Sequence, residues 1–360
     1  MRAEQSLTDW TAGLKETFSA VLHQPLCKAL AGFALAMAKA RSCCLLQVAL
    51  CLSSSALLSS TRRRLERLLA NEHLDVQAVY QALACALAAS RRGGKLVLII
   101  DESDRDEQLR SLQILAAIRH RCLPLLAVAY HPGHPPASME KFLPRQLELL
   151  GNWLAGYDLR ITLLADRGLS WPVVVRTCQK LGWHYVLRLQ GSTRMRSGDG
   201  KERTLRKLLG AKPAMRLVQE VAVFKKAGWI AGQHLTAVRV KGAKSPWYLL
   251  SDTPAGKHQV SKYAMRMWCE QSFRDQKSSG LNWRASRVND PSHATRLLLI
   301  MALSMWLCLL VGMGLVRRGW RRYIESRKQR MYSYFKLGLL WLIASVHRDL
   351  PSFSISLEGI

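Results

Sequence analysis

The sequence predicts an α/β protein in which a β-rich insertion interrupts a mixed sheet and an all-helical N-terminal domain comes first. Three observations predict this fold class. The first ninety or so residues are rich in Ala and Leu, which favours helices. Short apolar runs then follow one another from Lys95, and in their second half they alternate with helical stretches. Beyond residue 190 the content of Gly, Lys and Thr rises between short apolar runs, which is typical of antiparallel strands with turns.

The elements of the predicted sheet follow a boundary at Arg91–Gly94. KLVLIID (95–101) is a short apolar run that predicts a buried strand, and SLQILAAIRH and CLPLLAVAYH follow at the spacing of a meander. A helix over 138–154 leads to the strand LRITLLAD, and a Pro-initiated helix, WPVVVRTCQKLG, leads to the strand WHYVLRLQ. Three strands followed by alternating helix and strand indicate a mixed sheet.

These changes in composition and in the pattern of apolar runs predict five segments. They are a helical N-terminal domain (1–92), the first part of an α/β core (93–189), the β-rich insertion (190–257), the second part of the core (258–316) and a basic C-terminal helical region (317–360).

An uncharged apolar run, LLLIMALSMWLCLLVGMGLV (297–316), is long enough to cross a membrane. It is a single run with Arg at both ends, and a buried helix of an α/β domain has the same composition. We therefore favour a buried helix, with a membrane span as the alternative. The N-terminal sequence MRAEQSLTDW lacks the layout of a signal peptide.

The charge of the chain indicates its partner. The formal net charge is +28 over 360 residues, and basic residues recur along the whole chain. An extended polyanion such as DNA is the partner that this charge favours, and Arg, which outnumbers Lys roughly two to one, suits phosphate contacts. The nine Cys residues show no CxxC spacing, so we expect no disulfide framework or zinc site, and a cytoplasmic location.

The segment YAMRMWCEQSFRDQK (263–277) predicts a helix, with Ser261 as a candidate N-cap. A helical wheel puts four of its residues on one stripe, and only one of the four is acidic: Tyr263, Arg266, Glu270 and Lys277. On this wheel Cys269 and Asp275 point elsewhere. The simplest interpretation is a solvated face with an Arg266–Glu270 pair, worth a few tenths of a kcal/mol.

Two further carboxylates follow apolar strand runs directly, namely Asp101 and Asp166. Two strand-borne Asp and one helix-borne Glu are the hard oxygen ligands expected for two Mg²⁺ ions, or Mn²⁺ in their place, in phosphoryl transfer. We therefore expect Asp101, Asp166 and Glu270 to be catalytic metal ligands. The basic and phenolic residues of the stripe would then contact DNA phosphates. We expect Asp104 and Asp106 to be loop or cap residues.

The spacing Tyr263-x2-Arg266-x3-Glu270-x6-Lys277 resembles the Y-R-E-K signature of the insertion-sequence-four group of bacterial transposases. IIDESD around Asp101 and LLADRGLS around Asp166 resemble the first two acidic motifs of this group. RLLANEHL and GLNWRASRV are also similar to segments of the group, so the resemblance extends roughly from residue 60 to residue 315.

The resemblance implies a DDE enzyme with an RNase H-like core that catalyses cut-and-paste transposition through a DNA hairpin, with strand transfer to target DNA. It implies that Asp101, Asp166 and Glu270 hold the metal ions. Tyr263, Arg266 and Lys277 would bind phosphates near the cleaved end. PWYLLSDTP is similar to the motif whose Trp stacks on a flipped base, which identifies Trp247; core packing is the alternative.

The implied partners are the terminal inverted repeats of the protein's own element, target DNA and a second copy of the chain in a homodimeric synaptic complex. We expect the N-terminal domain (1–92) to bind DNA, with Arg62, Arg63 and Arg64 on phosphates, and the two parts of the core (93–189 and 258–316) to form the catalytic core. The sequence ends soon after its basic C-terminal region, so we do not expect the long dimerisation domain of some relatives. Two alternatives stay open: an RNase H-like endonuclease of another kind, and a catalytically silent DNA-binding derivative.

Overall fold

The computed structural model describes residues 2–52, 54–209, 214–326, 328–348 and 350. Residues 210–213 of the predicted insertion, and Arg327, residue 349 and residues 351–360 of the predicted C-terminal region, lie outside the described residues. Helices occupy most of the chain before residue 90: α1 (Arg2–Phe18), α2 (Gln24–Ala40), α3 (Leu45–Leu50), α4 (Leu58–Ala70) and α5 (Val76–Ala89). The Asp75 carboxylate caps α5 by accepting the N–H of Ala78 at 3.0 Å.

The described strands form one ten-stranded sheet, which confirms the predicted mixed α/β class. Its order is β3-β2-β1-β4-β5-β10-β9-β8-β6-β7. The strands are β1 (Lys95–Asp104), β2 (Arg110–Ile118), β3 (Arg121–Tyr130), β4 (Arg160–Ala165), β5 (His184–Arg188), β6 (Arg194–Arg196), β7 (Glu202–Thr204), β8 (Met215–Val223), β9 (Ile230–Val238) and β10 (Trp247–Ser251).

The predicted meander and the predicted insertion strands are both part of this sheet. β1, β2 and β3 pair antiparallel, whereas β4 lies parallel to β1 and β5 parallel to β4. The strands of the insertion continue the sheet through β10, which pairs antiparallel with β5. The helices between β3 and β5 are α6 (Met139–Leu154) and α7 (Pro172–Lys180), close to their predicted positions. α7 connects the parallel neighbours β4 and β5, and α6 lies in the longer connection from β1 to its parallel neighbour β4.

Beyond the insertion the chain is again helical. Its elements are α8 (Lys257–Ala264), α9 (Met267–Arg274), a π-helical turn (Asp275–Ser279), α10 (Pro291–Arg317) and α11 (Tyr334–His347).

The two faces of the sheet bury different sets of side chains. On one face Leu98 and Ile100 of β1 join the large core that also includes α2, α5, α6 and α10. On the other face Ile99 belongs to a smaller cluster with side chains of β4, β5, β10, α8 and α9. The alternation follows from the two-residue period of a strand. It brings the helices α8 and α9 onto the second face.

The apolar helix α10 lies inside the larger core. It is long and apolar enough to cross a membrane, but packing buries 94% of its most apolar 18-residue window. Ser304 donates a hydrogen bond to the Ala34 carbonyl of α2 at 2.9 Å, and Trp306 donates to the Pro124 carbonyl of β3 at 3.3 Å. The helix therefore lies between the sheet and the N-terminal helices, as expected for a buried helix.

Two predictions about local structure were wrong. β1 does not end at Asp101, because its pairing with β2 continues to Asp104 opposite Arg110. The helix of the signature does not begin at Ser261: it begins at Lys257, after Gly256 in an extended conformation, so Ser261 lies inside the helix. Within the predicted C-terminal region, α11 is apolar and packs on α10.

Candidate active site

Asp101 and Asp166 lie side by side because of the parallel pairing of β1 with β4. The register aligns Ile100 with Ala165, so the two aspartates are the next residues on neighbouring strands. The alternation of side chains places Asp101 on the same face as Ile99, where α8 and α9 pack. Asp166 follows the end of β4 directly, as predicted.

The third predicted acid, Glu270, is brought to this face by α9. Several side chains anchor α9 and its π-helical turn across β2 and β3. The described contacts are Trp268 edge-on to His120, Ser272 Oγ accepting the Cys122 N–H at 2.7 Å, Arg121 paired with Asp275 at 2.9 Å, and reciprocal amide bonds between Gln276 and Gln113. Because Gln113 pairs with Asp101 in the sheet, these contacts fix α9 over Asp101.

The signature segment is not one regular helix. α8 and α9 are separated by a turn at Met265–Arg266, and a π-helical turn follows Arg274. Each irregularity changes the direction of the side chains that follow relative to a regular wheel. Even so, Tyr263, Arg266 and Glu270 all face the aspartates.

The Arg266 guanidinium lies between the three acids. Nη2 of Arg266 is 2.8 Å from Asp101 Oδ2 and 3.6 Å from Asp166 Oδ2. Nη1 donates a hydrogen bond of 3.0 Å to Glu270 Oε1. The predicted Arg266–Glu270 pair is therefore present, but Arg266 also joins Glu270 to acids that lie far away along the chain. The three carboxylates converge on one cation.

The electrostatics of the site depend on burial and on Arg266. Burial raises the pKa of Asp101 to about 6, although Arg266 opposes this rise. Burial alone would raise the pKa of Asp166 too. Arg266 and further donors lower this pKa by more than burial raises it, so it lies below its ordinary value. Burial disfavours the charged form of Arg266, yet Asp101 and Asp166 raise its pKa above its usual range. Arg266 is thus a permanent cation at the centre of the site.

Tyr263 and Trp247 lie beside Asp166. The Tyr263 hydroxyl donates to Asp166 Oδ1 at 3.1 Å. Trp247 begins β10 and packs edge-on against the Tyr263 ring at a centroid distance of 4.9 Å. The Trp247 side chain is almost wholly buried in the smaller core cluster, and its predicted role as a base platform stays a prediction.

Lys277 lies in the π-helical turn and is half-buried. Burial lowers its pKa, and the charge of Arg284 lowers it further, whereas Asp104 and Asp101 oppose the change. Lys277 therefore lies near the acids without contacting them. Asp104 forms an ion pair with Arg110 across the β1–β2 hairpin, and Asp106 accepts the N–H groups of the turn, in agreement with its predicted cap role.

The sequence analysis missed the part that Cys269 and Arg188 play in the site. The Cys269 thiol contacts Asp101 Oδ2 at 3.8 Å, so the prediction that this residue points away from the site was wrong. Burial, and then the charge of Asp101, raise the pKa of Cys269, which keeps the thiol protonated as a donor. Arg188 Nη1 lies 3.5 Å from Asp166 Oδ1. Arg188 follows Leu187, which pairs with Ala165, so strand register alone would have placed Arg188 beside Asp166.

A basic cavity of about 410 Å³ opens on the other side of Arg188. Its charged lining consists of Arg167, Arg188 and Arg206. Tyr248 also lines it, while its neighbour Trp247 belongs to the cluster on the opposite face. Three guanidinium groups around one cavity suit an anion with several oxygens, such as a phosphate of DNA.

The donor set has the chemistry of a magnesium site but not its arrangement. Three carboxylates facing one cation are the ligands that Mg²⁺ and Mn²⁺ prefer. Within the described part of the chain, however, no three His, Cys, Asp or Glu side chains come close enough together to hold an ion. The Arg266 guanidinium fills the space between the acids. His131 and His134 lie in the exposed turn after β3, away from the three acids.

The chain matches the model of a known protein family. The model of a family described as "Transposase DDE domain" matches residues 98–307, which run from β1 through the insertion and α9 into α10. The match covers more than half of the chain and includes Asp101, Asp166 and Glu270. No curated protein matches the chain.

Proposed function

The chain belongs to the transposase DDE domain family, whose members are DNA-cleaving enzymes, and from this premise we propose that it catalyses cut-and-paste transposition of its own insertion sequence. In this proposal it is a transposase of the insertion-sequence-four type. It cleaves both strands at the ends of the element through a hairpin intermediate. It then joins the liberated 3′-hydroxyls to target DNA.

The convergence of Asp101, Asp166 and Glu270 on a single cation is the observation that best supports this proposal. We propose that these carboxylates are the catalytic residues and hold two Mg²⁺ ions, for which Mn²⁺ can substitute. Ions held there would supply a Lewis acid for the attacking oxygen and the leaving oxygen of phosphoryl transfer. The protein's contribution is to bring the acids from two strands and one helix around Arg266, whose guanidinium an ion would have to displace.

The neighbouring side chains would hold the DNA strand against the acids. Tyr263, Arg266 and Lys277 are proposed to bind phosphates near the cleaved end. The cavity with Arg167, Arg188 and Arg206 would bind the strand on the other side of Asp166. Since a guanidinium is a planar donor that can bind two oxygens at once, these groups would orient a phosphate diester as well as neutralise it.

Trp247 is proposed to stack on a base that leaves the helix when the hairpin forms. Its ring packs against Tyr263, and the Tyr263 hydroxyl in turn contacts Asp166. A base that stacks on Trp247 would therefore be linked to Asp166 through two side chains, those of Trp247 and Tyr263. Stacking on an aromatic ring accepts any base and contributes about 1–3 kcal/mol.

The proposed partners are the terminal inverted repeats of the element, target DNA and a second copy of the chain in the synaptic complex. Arg62, Arg63 and Arg64 are exposed on α4, where they could reach phosphates at the element's ends. We place this activity in the bacterial cytoplasm, with the protein associated with chromosomal DNA through the charge of +28.

Cleavage of a labelled DNA end tests the proposal. The purified chain is incubated in Mg²⁺ with a duplex that contains one end of the DNA flanking its gene, and the products are separated on a denaturing gel. We expect a hairpin product with the wild type and none with Asp166→Asn. Nicks at many positions without a hairpin would indicate the alternative endonuclease, whereas binding without cleavage would indicate the silent derivative.

A further inference from the structure

Arg266 occupies the position in which a metal ion would be expected. Its two terminal nitrogens contact Asp101, Asp166 and Glu270 at 2.8 to 3.6 Å. Its side chain is only 12% exposed. A surface i,i+4 pair would have an exposed cation that contacts Glu270 alone. Arg266 instead neutralises two acids from other parts of the chain.

The hydrogen-bonding groups of Arg266 are not all used by its described partners. Its Nε is buried, and among the described residues no group accepts a hydrogen bond from it. The three acids face two guanidinium groups, those of Arg266 and the more distant Arg188, so the acids still outnumber the cations beside them. A divalent ion would compensate the acids better, while a DNA phosphate could accept hydrogen bonds from Arg266, including one from Nε.

We infer that Arg266 is an internal counter-ion that competes with divalent cations for Asp101, Asp166 and Glu270, and that an ion is held only when Arg266 turns away. The identity of the ion and of the DNA rests on the proposed function. In the absence of DNA the guanidinium keeps the three acids together and the site closed to metal. A DNA phosphate beside Tyr263 offers Arg266 another partner, so DNA binding and ion binding favour each other.

This inference gives Arg266 a second role besides phosphate binding. An enzyme that binds its ions only after it has bound DNA would hold no ion that could activate water in its free state. Free protein would then not cleave DNA at random encounters. The coupling between DNA binding and ion binding requires only that the Arg266 side chain leaves the carboxylates and binds a phosphate.

Binding of Mn²⁺ to the full chain, stripped of metal and free of DNA, tests the inference. Free Mn²⁺ is followed by electron paramagnetic resonance for the wild type, for Arg266→Gln and for Arg321→Gln. Arg321 is a matched control because it is a part-buried arginine that pairs with a buried acid, Glu325, away from the three acids, and its loss changes the net charge equally. We expect Arg266→Gln to bind Mn²⁺ about tenfold more tightly than the wild type, and Arg321→Gln to resemble the wild type.

Further variants identify the ion's position and guard against misfolding. Adding Asp101→Asn to Arg266→Gln should abolish the gain in affinity. Arg266→Lys keeps the charge but cannot span three acids, so its affinity should lie between those of the wild type and Arg266→Gln. The Mn²⁺-induced rise in melting temperature should follow the same order. If Mn²⁺ binds equally to the wild type, Arg266→Lys and Arg266→Gln, or if the gain persists with Asp101→Asn, the inference is wrong.

Addition of DNA completes the test. A duplex from the flanking DNA should increase the Mn²⁺ affinity of the wild type by more than that of Arg266→Gln, in which the competitor is already absent. Failure of this inference is distinguishable from failure of the proposed function. A protein that produces the DNA hairpin but shows no gain with Arg266→Gln would contradict only the counter-ion role. A gain without any DNA cleavage would contradict only the transposase mechanism.

Discussion

The buried pair of Asp275 and Arg121 predicts a specific pH dependence of stability. Arg121 on β3 donates to the Asp275 carboxylate at the start of the π-helical turn, at 2.9 Å. The Asp275 side chain is 13% exposed. Burial raises the pKa of Asp275 from 3.8 to about 6, in spite of the opposing charge of Arg121. The folded chain therefore keeps a proton on Asp275 at a pH at which the unfolded chain has released it.

The size of this effect follows from the two pKa values of Asp275. A difference of about two pH units between the folded and unfolded chain corresponds to about 3 kcal/mol. Because the folded pKa is the higher one, the contribution of this carboxyl to stability is fully present below the unfolded pKa. It is lost as the pH rises through the folded pKa. In Asp275→Asn this titration is absent. The free energy of unfolding of the wild type minus that of the variant should therefore fall by about 3 kcal/mol from about pH 4 to about pH 7.

Urea denaturation at several pH values and constant ionic strength measures this difference. Glu107→Gln, which removes a carboxylate from an exposed position, is the control. A difference that does not change with pH would refute the effect of burial on Asp275. A difference that rises with pH would mean that pairing with Arg121 outweighs burial, and that the folded pKa lies below the unfolded one.

Three further substitutions have expected outcomes. In Gly312→Ala the added methyl group would collide with the main chain of α11. The free energy of unfolding measured in urea should therefore fall by about 3 kcal/mol or more. Gly156→Ala is the control, because its methyl group meets no described atom within 4 Å, and it should show no such loss. Tyr263→Phe removes the 3.1 Å hydrogen bond to Asp166, so it should lower the free energy of unfolding by about 1 kcal/mol and slow DNA cleavage in the labelled-end assay. Arg206→Gln should weaken DNA binding and reduce the slope of log affinity against log salt by about one, as measured by fluorescence anisotropy; an unchanged slope would mean that the basic cavity does not bind the DNA backbone.

Local patterns in the sequence predicted much of the sheet and of the candidate site. The apolar runs marked β1, β4 and β5, and the two-residue period decides which side chains face α9. Asp166 was predicted correctly at a strand end. The same rule would have located Arg188 if the parallel register of β4 and β5 had been assumed. The order of the strands could not be read from local pattern, because it depends on contacts between distant segments.

The centre of the site was less predictable because it depends on packing and on irregular helix geometry. A helical wheel assumes a straight α-helix, whereas the chain turns at Met265–Arg266 and continues as a π-helical turn after Arg274. The contact of Cys269 with Asp101 joins residues 168 positions apart and arises only because α9 lies across β1. Arg266 was expected on phosphates. Its contacts with three acids require the final positions of two strands and one helix.

The excision of a marked element in living cells tests the central claim most directly. The element carries the DNA ends that flank this gene, and the cells express the wild type, Glu270→Ala or Glu140→Ala, the last at an exposed position on α6. If Glu270 completes the catalytic set with Asp101 and Asp166, the wild type and Glu140→Ala will excise the element and Glu270→Ala will not. Equal excision by Glu270→Ala would show that Glu270 is only the ion-pair partner of Arg266, and would contradict the account.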